Sequence, residues 1–202
     1  YERPLRSLAD HGHSIVIADE TGRNKLGEQA MVRRLVDDQP RVSYRQAPKR
    51  AGGVWASFAT IVRTMLDYVR YLDRAYAGAS ELRARAERTL PPSFARGLDL
   101  LSGRTTTGAR TLGFVLRLTE WIIPTNRAVD DFLAREQFDL VIVTPLVDFG
   151  SPQVDYIKAA RTRGVPSVLA VASWDNLTNK GLVRLAPDRV LVWNEAQKTE
   201  AV

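Results

Sequence analysis

The chain has 202 residues, 45% of them hydrophobic, and it contains no cysteine. That length can bury a substantial core as one domain or two small ones. The missing thiols exclude disulfides, thiolate metal sites and cysteine nucleophiles, and they fit a cytoplasmic setting. No run reaches the about 18 apolar residues that a membrane span needs, and no charged-then-apolar segment opens the chain. The 29 Lys and Arg against 23 Asp and Glu give a net charge of +6, which favours anionic partners. No helix-turn-helix, zinc-finger or ribonucleoprotein pattern directs that charge at nucleic acid, so no nucleic-acid partner is expected.

The segment from Arg3 to His13 reads as an amphipathic helix closed by Gly12, leading into a strand at Ser14-Ile15-Val16-Ile17-Ala18. In a Rossmann-like unit that helix follows a first strand, so the expectation is that one lies upstream. His11 and His13 flank the corner without a third ligand in view, which makes them structural rather than a metal site. A second strand is expected at Arg41-Val42-Ser43-Tyr44-Arg45.

From about 53 to 136 the periodicity is helical. Phe58, Val62, Met65, Leu66, Val69, Leu72 and Tyr76 fall on one stripe, with Arg63, Arg70 and Arg74 off it. The stripe reads as core packing. The arginines, with Arg83, Arg85 and Arg88, read as a solvated face or as a face for peripheral contact with an acidic membrane. Pro91-Pro92 breaks the run, and Ser102 to Gly108 reads as a mobile loop. Pro124 ends the next helix and suits the first turn of the one after it.

Beyond Phe138 the pattern becomes strand-helix-strand. Asp139 to Val143 is a strand, and a loop carries Asp148 and Gly150. Ser151 can N-cap a helix starting at Pro152, and Gly164 ends that helix before the strand Ser167 to Val171. A last strand is expected at Arg189-Val190-Leu191-Val192-Trp193, buried like its neighbour. The fold class is therefore α/β, a Rossmann-like, mainly parallel sheet with helices on both faces and a helical insertion. The terminal Asn194 to Val202 reads as the opening turns of a further helix.

Between the last two strands lies Ser173-Trp174-Asp175-Asn176-Leu177-Thr178-Asn179-Lys180-Gly181, a polar loop at the carboxyl end of a strand, where open α/β sheets place their ligands. Asp148, Ser151, Trp174, Asn176, Thr178 and Lys180 are the candidate substrate-binding residues and Asp175 the candidate catalytic one. Each admits a plainer reading. Trp174 can stack on a sugar ring or base, or cap the core. Asp175 can act as general base toward an acceptor hydroxyl, or form a turn with its own backbone. Lys180 can offset phosphate charge, or be an ordinary exposed lysine.

Taken together, Val143 to Asp148, Gly150 to Tyr156, Ser173 to Gly181 and Pro187 to Glu195 resemble the amino-terminal domain of bacterial GT-B-type glycosyltransferase-like proteins, the group near surface-polysaccharide and teichoic-acid transferases. The resemblance is specific from about Phe132 onward and loose before it. It implies two Rossmann-like domains across a cleft, the chain supplying residues 1–202 as the acceptor-side domain. The carboxyl-terminal domain that mainly holds the sugar nucleotide is then expected to lie beyond the chain. The implied reaction transfers a sugar or glycerophosphoryl unit from a nucleotide donor to a cell-surface glycan or lipid-linked acceptor, with no cofactor and no metal. The expected site of action is the cytoplasm, extending to the inner face of the membrane. A sugar-nucleotide epimerase half and a non-catalytic module binding anions or nucleotides are the alternatives, because this fold hosts all three.

Overall fold

The computed structural model describes residues 2–19, 26–48, 52–103, 105–179 and 181–200, without the side chains of 26–29, 178, 179 and 200. They form two compact units, divided between Lys49 and Arg50.

In the first unit, α1 (Glu2–Asp10), β1 (Ile15–Asp19), α2 (Leu26–Asp38) and β2 (Val42–Gln46) make a βαβ repeat preceded by a helix. The two strands pair in parallel, with Ile15 opposite Val42. Gly12 takes φ 94° at the helix-to-strand corner, a left-handed conformation that favours glycine. Ala9, Leu35 and Val42 form the small core. His11 turns back to the Ser7 carbonyl through Nδ1 at 2.7 Å, a local corner contact.

The second unit begins with the helical insertion. It comprises α3 (Val54–Val69), two 3-10 turns, α4 (Ser80–Glu87), α5 (Pro92–Ser102), α6 (Thr106–Ile122) and α7 (Arg127–Glu136). Val62, Leu66, Val69 and Leu72 of the predicted stripe are buried, packed with Leu98 and Leu116 from the neighbouring helices. Phe58 and Tyr76, at its ends, are exposed. Pro91 and Pro92 start α5, where a missing N–H costs nothing.

Two expectations for this region are corrected. The stretch expected as a loop from Ser102 to Gly108 is largely helical among the described residues, with Ser102 closing α5 and Thr106 to Gly108 opening α6. Gly103 caps α5 at φ 55°, and the Thr105 hydroxyl accepts from the Gly108 N–H at 3.0 Å to start α6. Pro124 precedes α7 rather than sitting in its first turn, because Asn126 takes the cap and accepts from Ala128 N–H at 3.1 Å.

A three-stranded sheet follows, of β3 (Val141–Val143), β4 (Ser167–Ala170) and β5 (Arg189–Leu191), in that spatial order and parallel throughout. Val141 lies opposite Ser167, and Val168 opposite Arg189. The helix α8 (Val154–Thr162) crosses from β3 to β4. Its Val154, Ile157, Ala159 and Ala160 are buried with Phe132 and Leu133 of α7 and with Leu169 of β4. Two short helices, α9 (Asn176–Asn179) and α10 (Glu195–Glu200), follow β4 and β5.

The chain is thus α/β, with short parallel sheets flanked by helices. The five strands fall in two sheets, not one. Every residue of the central β4 is buried. The expected burial of the last strand is corrected: β5 is exposed along its length, with Leu191 at 56%, whereas β3 at the other edge buries Val141 and Val143 against α7 and α8.

Candidate functional site

The site is built where β3 and β4 end, since adjacent parallel strands deliver their following loops to the same end of the sheet. The loop after β3 is held by the Gln153 side chain. Thr144-Pro145 is a cis peptide, and Leu146, fully buried, adopts φ 56°, a region that costs a non-glycine residue free energy. The side chain of Gln153 clamps the turn: its amide donates to the Thr144 carbonyl at 2.8 Å, and its carbonyl oxygen accepts from the Leu146 N–H at 2.8 Å.

The helical insertion holds this loop from behind. Arg63 and Asp67 stand four residues apart on α3 and therefore share one face. Both are fully buried. Arg63 donates to Asp155 at 2.6 Å, to Glu120 at 3.0 Å and to the Ser151 carbonyl at 3.3 Å. Lys158 completes the cluster at 3.1 Å from Glu120 and 2.9 Å from the Ile123 carbonyl. Asp67 accepts from the Gly150 N–H at 3.0 Å and the Leu182 N–H at 2.8 Å, and it forms an ion pair with Arg184.

Burial sets the electrostatics of these groups. For Arg63 desolvation pulls the pKa down, but Asp155 and Glu120 more than offset it and hold the guanidinium above its ordinary value. Burial pushes the Asp67 carboxyl up despite Arg184 and two backbone N–H donors. It lowers Lys158 and Arg184, in each case against the pull of a carboxylate. The off-stripe position of Arg63 suggested a solvated arginine; the structure makes it the centre of a buried ionic cluster. The signal that sequence offered was the 63/67 spacing of opposite charges on an otherwise apolar helix, with acids at 120 and 155 available as partners.

The second loop is fastened to the first. The Gly181 N–H donates to the Val147 carbonyl, and Arg184 donates to the Asp148 carbonyl at 3.0 Å. A Cβ at Gly181 would lie 2.7 Å from the Val147 oxygen, so this close approach requires glycine. Nearer β4, the carboxamide of Asn176 accepts from the Ser173 N–H at 2.7 Å, and Gln197 of α10 donates to the Ser173 carbonyl at 3.4 Å. The indole of Trp193 donates to the Val171 carbonyl at 2.7 Å.

The predicted site residues take different places in this frame. Trp174 is 72% exposed, with Asp175 half-buried between it and Asn176. Asp148 is exposed on the companion loop. Ser151 and Asn176 are buried: the Ser151 hydroxyl accepts from the Gln153 N–H at 3.3 Å, and Asn176 pins Ser173. The side chain of Thr178 and all of Lys180 lie outside the described residues. The start of α8 faces inward, where Arg63 meets Asp155 of its first turn. Trp174 and Asp148 are therefore exposed to a ligand, with Asp175 half-buried beside Trp174, and Ser151, Asn176, Gln153 and Asp67 hold the loops in shape. A stacking surface and a carboxylate on a fixed loop can orient a sugar and accept a proton. No protein-family model, curated protein or solved structure matches the chain.

Proposed function

We propose that the protein is the acceptor-side Rossmann-like part of a sugar-nucleotide-dependent transferase, acting on a glycan or lipid-linked acceptor. The observation that carries this reading is the exposed indole of Trp174 beside Asp175, on a polar loop at the carboxyl end of a buried parallel strand. In this reading the acceptor sugar stacks on Trp174. Asp175 takes the proton of the attacking hydroxyl, whose oxygen bonds to the anomeric carbon as the nucleotide diphosphate leaves. Asp148 binds a further hydroxyl, and Thr178 and Lys180 bind the phosphates. Ser151 and Asn176 contribute by fixing the loops, so their effect on substrate is indirect. Holding donor and acceptor together supplies the effective molarity that a second-order reaction lacks.

The test is incubation of the full-length protein with a panel of nucleotide sugars, following release of the nucleotide diphosphate with and without acceptor glycans. Acceptor-dependent release, with an acceptor KM that Trp174→Ala raises, is the expected result. Release without any acceptor requirement, or interconversion of the donor sugar into its epimer, would overturn the reading.

A further inference from the structure

The helix α6 is apolar on two opposite faces. Ala109, Gly113 and Leu116 point into the core of the insertion with Glu120. Phe114, Leu118, Trp121 and Ile122 repeat at helical spacing on the outside, with Val115 beside them. Trp121 is 75% and Ile122 69% exposed. A helix that is hydrophobic all round is either covered or faces a medium other than water. The α3 and α6 helices run antiparallel, as Val69 against Gly113 and Arg63 against Glu120 show, which brings exposed Val54, Trp55 and Phe58 to the same end as Trp121.

The charges on α6 are sorted by face. Its one acid, Glu120, is turned inward to Arg63 and Lys158. Arg110 and Arg117 are exposed, Arg110 meeting Asp73 at 3.0 Å near the amino-terminal end. The outward face thus offers aromatic and aliphatic side chains edged by positive charge, on a protein of net charge +6. Those are the marks of a helix lying in a membrane interface, with its rings at headgroup depth and its basic groups on anionic phosphates. A second copy of the chain would bring the same positive edge against itself. An acidic lipid surface neutralises it. Among the described residues no helix is long and apolar enough to cross a membrane, so the mode is interfacial.

We infer that the outer face of α6 docks on an acidic lipid bilayer, with Phe114, Leu118, Trp121 and Ile122 inserted and Arg117 at the headgroups. The surface differs from the arginine series suggested by sequence alone. Arg63 is buried, Arg70 stacks 4.5 Å above the Tyr71 ring, and Arg83 pairs with Asp99 at 3.0 Å. The inference does not rest on the transferase reading, since docking needs no nucleotide and turnover of a soluble acceptor needs no lipid.

Co-sedimentation of the full-length protein with phosphatidylcholine vesicles, with and without phosphatidylglycerol, tests it. Binding should require phosphatidylglycerol and fall steeply with added salt. Phe114→Ser and Trp121→Ser should each weaken it by at least about tenfold, and Arg117→Gln by about fivefold. Leu191→Ser, an exposed apolar change on the sheet edge, should leave it unaltered. Thermal midpoints of all four variants check that they fold. Quenching of wild-type fluorescence by bromine-labelled lipid, lost in Trp121→Phe, gives a readout independent of the serine variants. Three results would overturn the inference: no partitioning, unchanged partitioning of both aromatic variants, or a concentration-dependent dimer in lipid-free solution that Trp121→Ser dissociates.

Discussion

The loops that follow β3 and β4 leave the same end of the same sheet, yet they are built in opposite ways. The first is closed: Leu146, Val147, Gly150 and Ser151 are buried, and α3 reaches it with two ionised side chains. The second presents its tip, with Trp174 outside, while Ser173 accepts from Gln197 at one end and Gly181 donates to the Val147 carbonyl at the other. Buried charge is stable only when paired and hydrogen-bonded, so the first loop and the insertion specify one another. The exposed tip of the second loop adds little to folding and can contribute binding. The pairing of a fixed loop with a presented one is how a scaffold holds recognition groups in place without burying them.

The comparison breaks hardest at Arg63. Replacing it by Met leaves Glu120 and Asp155 buried beside one fewer cation, and removal of one partner from such a group typically costs about 3–5 kcal/mol. Urea unfolding should show that loss. A cost below about 1 kcal/mol would mean that the cluster does not anchor the β3 loop.

A smaller effect is expected where the loops touch. In Gly181→Ala the new Cβ would stand 2.7 Å from the Val147 oxygen and 3.0 Å from the Asp148 oxygen. Neither backbone atom can swing away as a side chain would, and overpacking of this kind costs about 1–3 kcal/mol. The thermal midpoint should fall, and the loop amides should exchange faster with solvent. An unchanged midpoint would show that the two loops are not mechanically joined.

The insertion also carries a pH signature. Burial and a 2.6 Å hydrogen bond to Asp99 push the Tyr68 hydroxyl up to about 12. Its folded value lies above its unfolded one of 10.0, so the folded state holds the proton more tightly. The associated stability is fully present below pH 10 and is lost as pH rises toward 12. Its partners Arg83 and Asp99 are partly exposed, so the loss should be on the order of 1 kcal/mol rather than the full shift. Stability measured across that window should decline less in Tyr68→Phe. An identical decline in both proteins would assign it to other groups.

Much of this arrangement was legible in the residues. The strands at 15–19, 42–46 and 167–170 lie within a residue of expectation, because short β-branched runs bounded by glycine and proline leave few alternatives. The helical insertion was legible from its apolar stripe, and the ends of β3 and β4 follow from the order of elements. Periodicity is blind to pairing, however. It assigns Arg63 to the outside of a helix, whereas acids 57 and 92 residues away draw it inward. It also finds the stripe that packs inside but not the second stripe on α6, since Phe114 and Trp121 look like core until the core is seen to be full. Within the site, residue type distinguished polar from apolar positions but not presented from buried ones. Ser151 and Asn176 turn inward because backbone N–H groups nearby need acceptors, a demand set by the local chain path.

The smallest change in stability, and the sharpest test of the contrast, is expected at the tip of the second loop. Trp174 is 72% exposed, and surface substitutions away from caps and ion pairs usually fall within about 0.5 kcal/mol. Trp174→Ala should therefore leave the thermal midpoint near that of the parent while weakening acceptor binding, seen as a raised KM with kcat nearly unchanged. Asp175→Asn keeps the shape of the loop and removes the carboxylate. If Asp175 takes the acceptor proton, kcat should fall by about 10²–10⁴ with the fold intact. Asn176→Ala is the internal contrast. It frees the Ser173 N–H and should lower the midpoint by about 1–3 kcal/mol worth of stability, with activity following the loss of loop order. A midpoint that drops for Trp174→Ala as far as for Asn176→Ala would make the indole a lid on the core. The binding role would then pass to Asp148 on the closed loop.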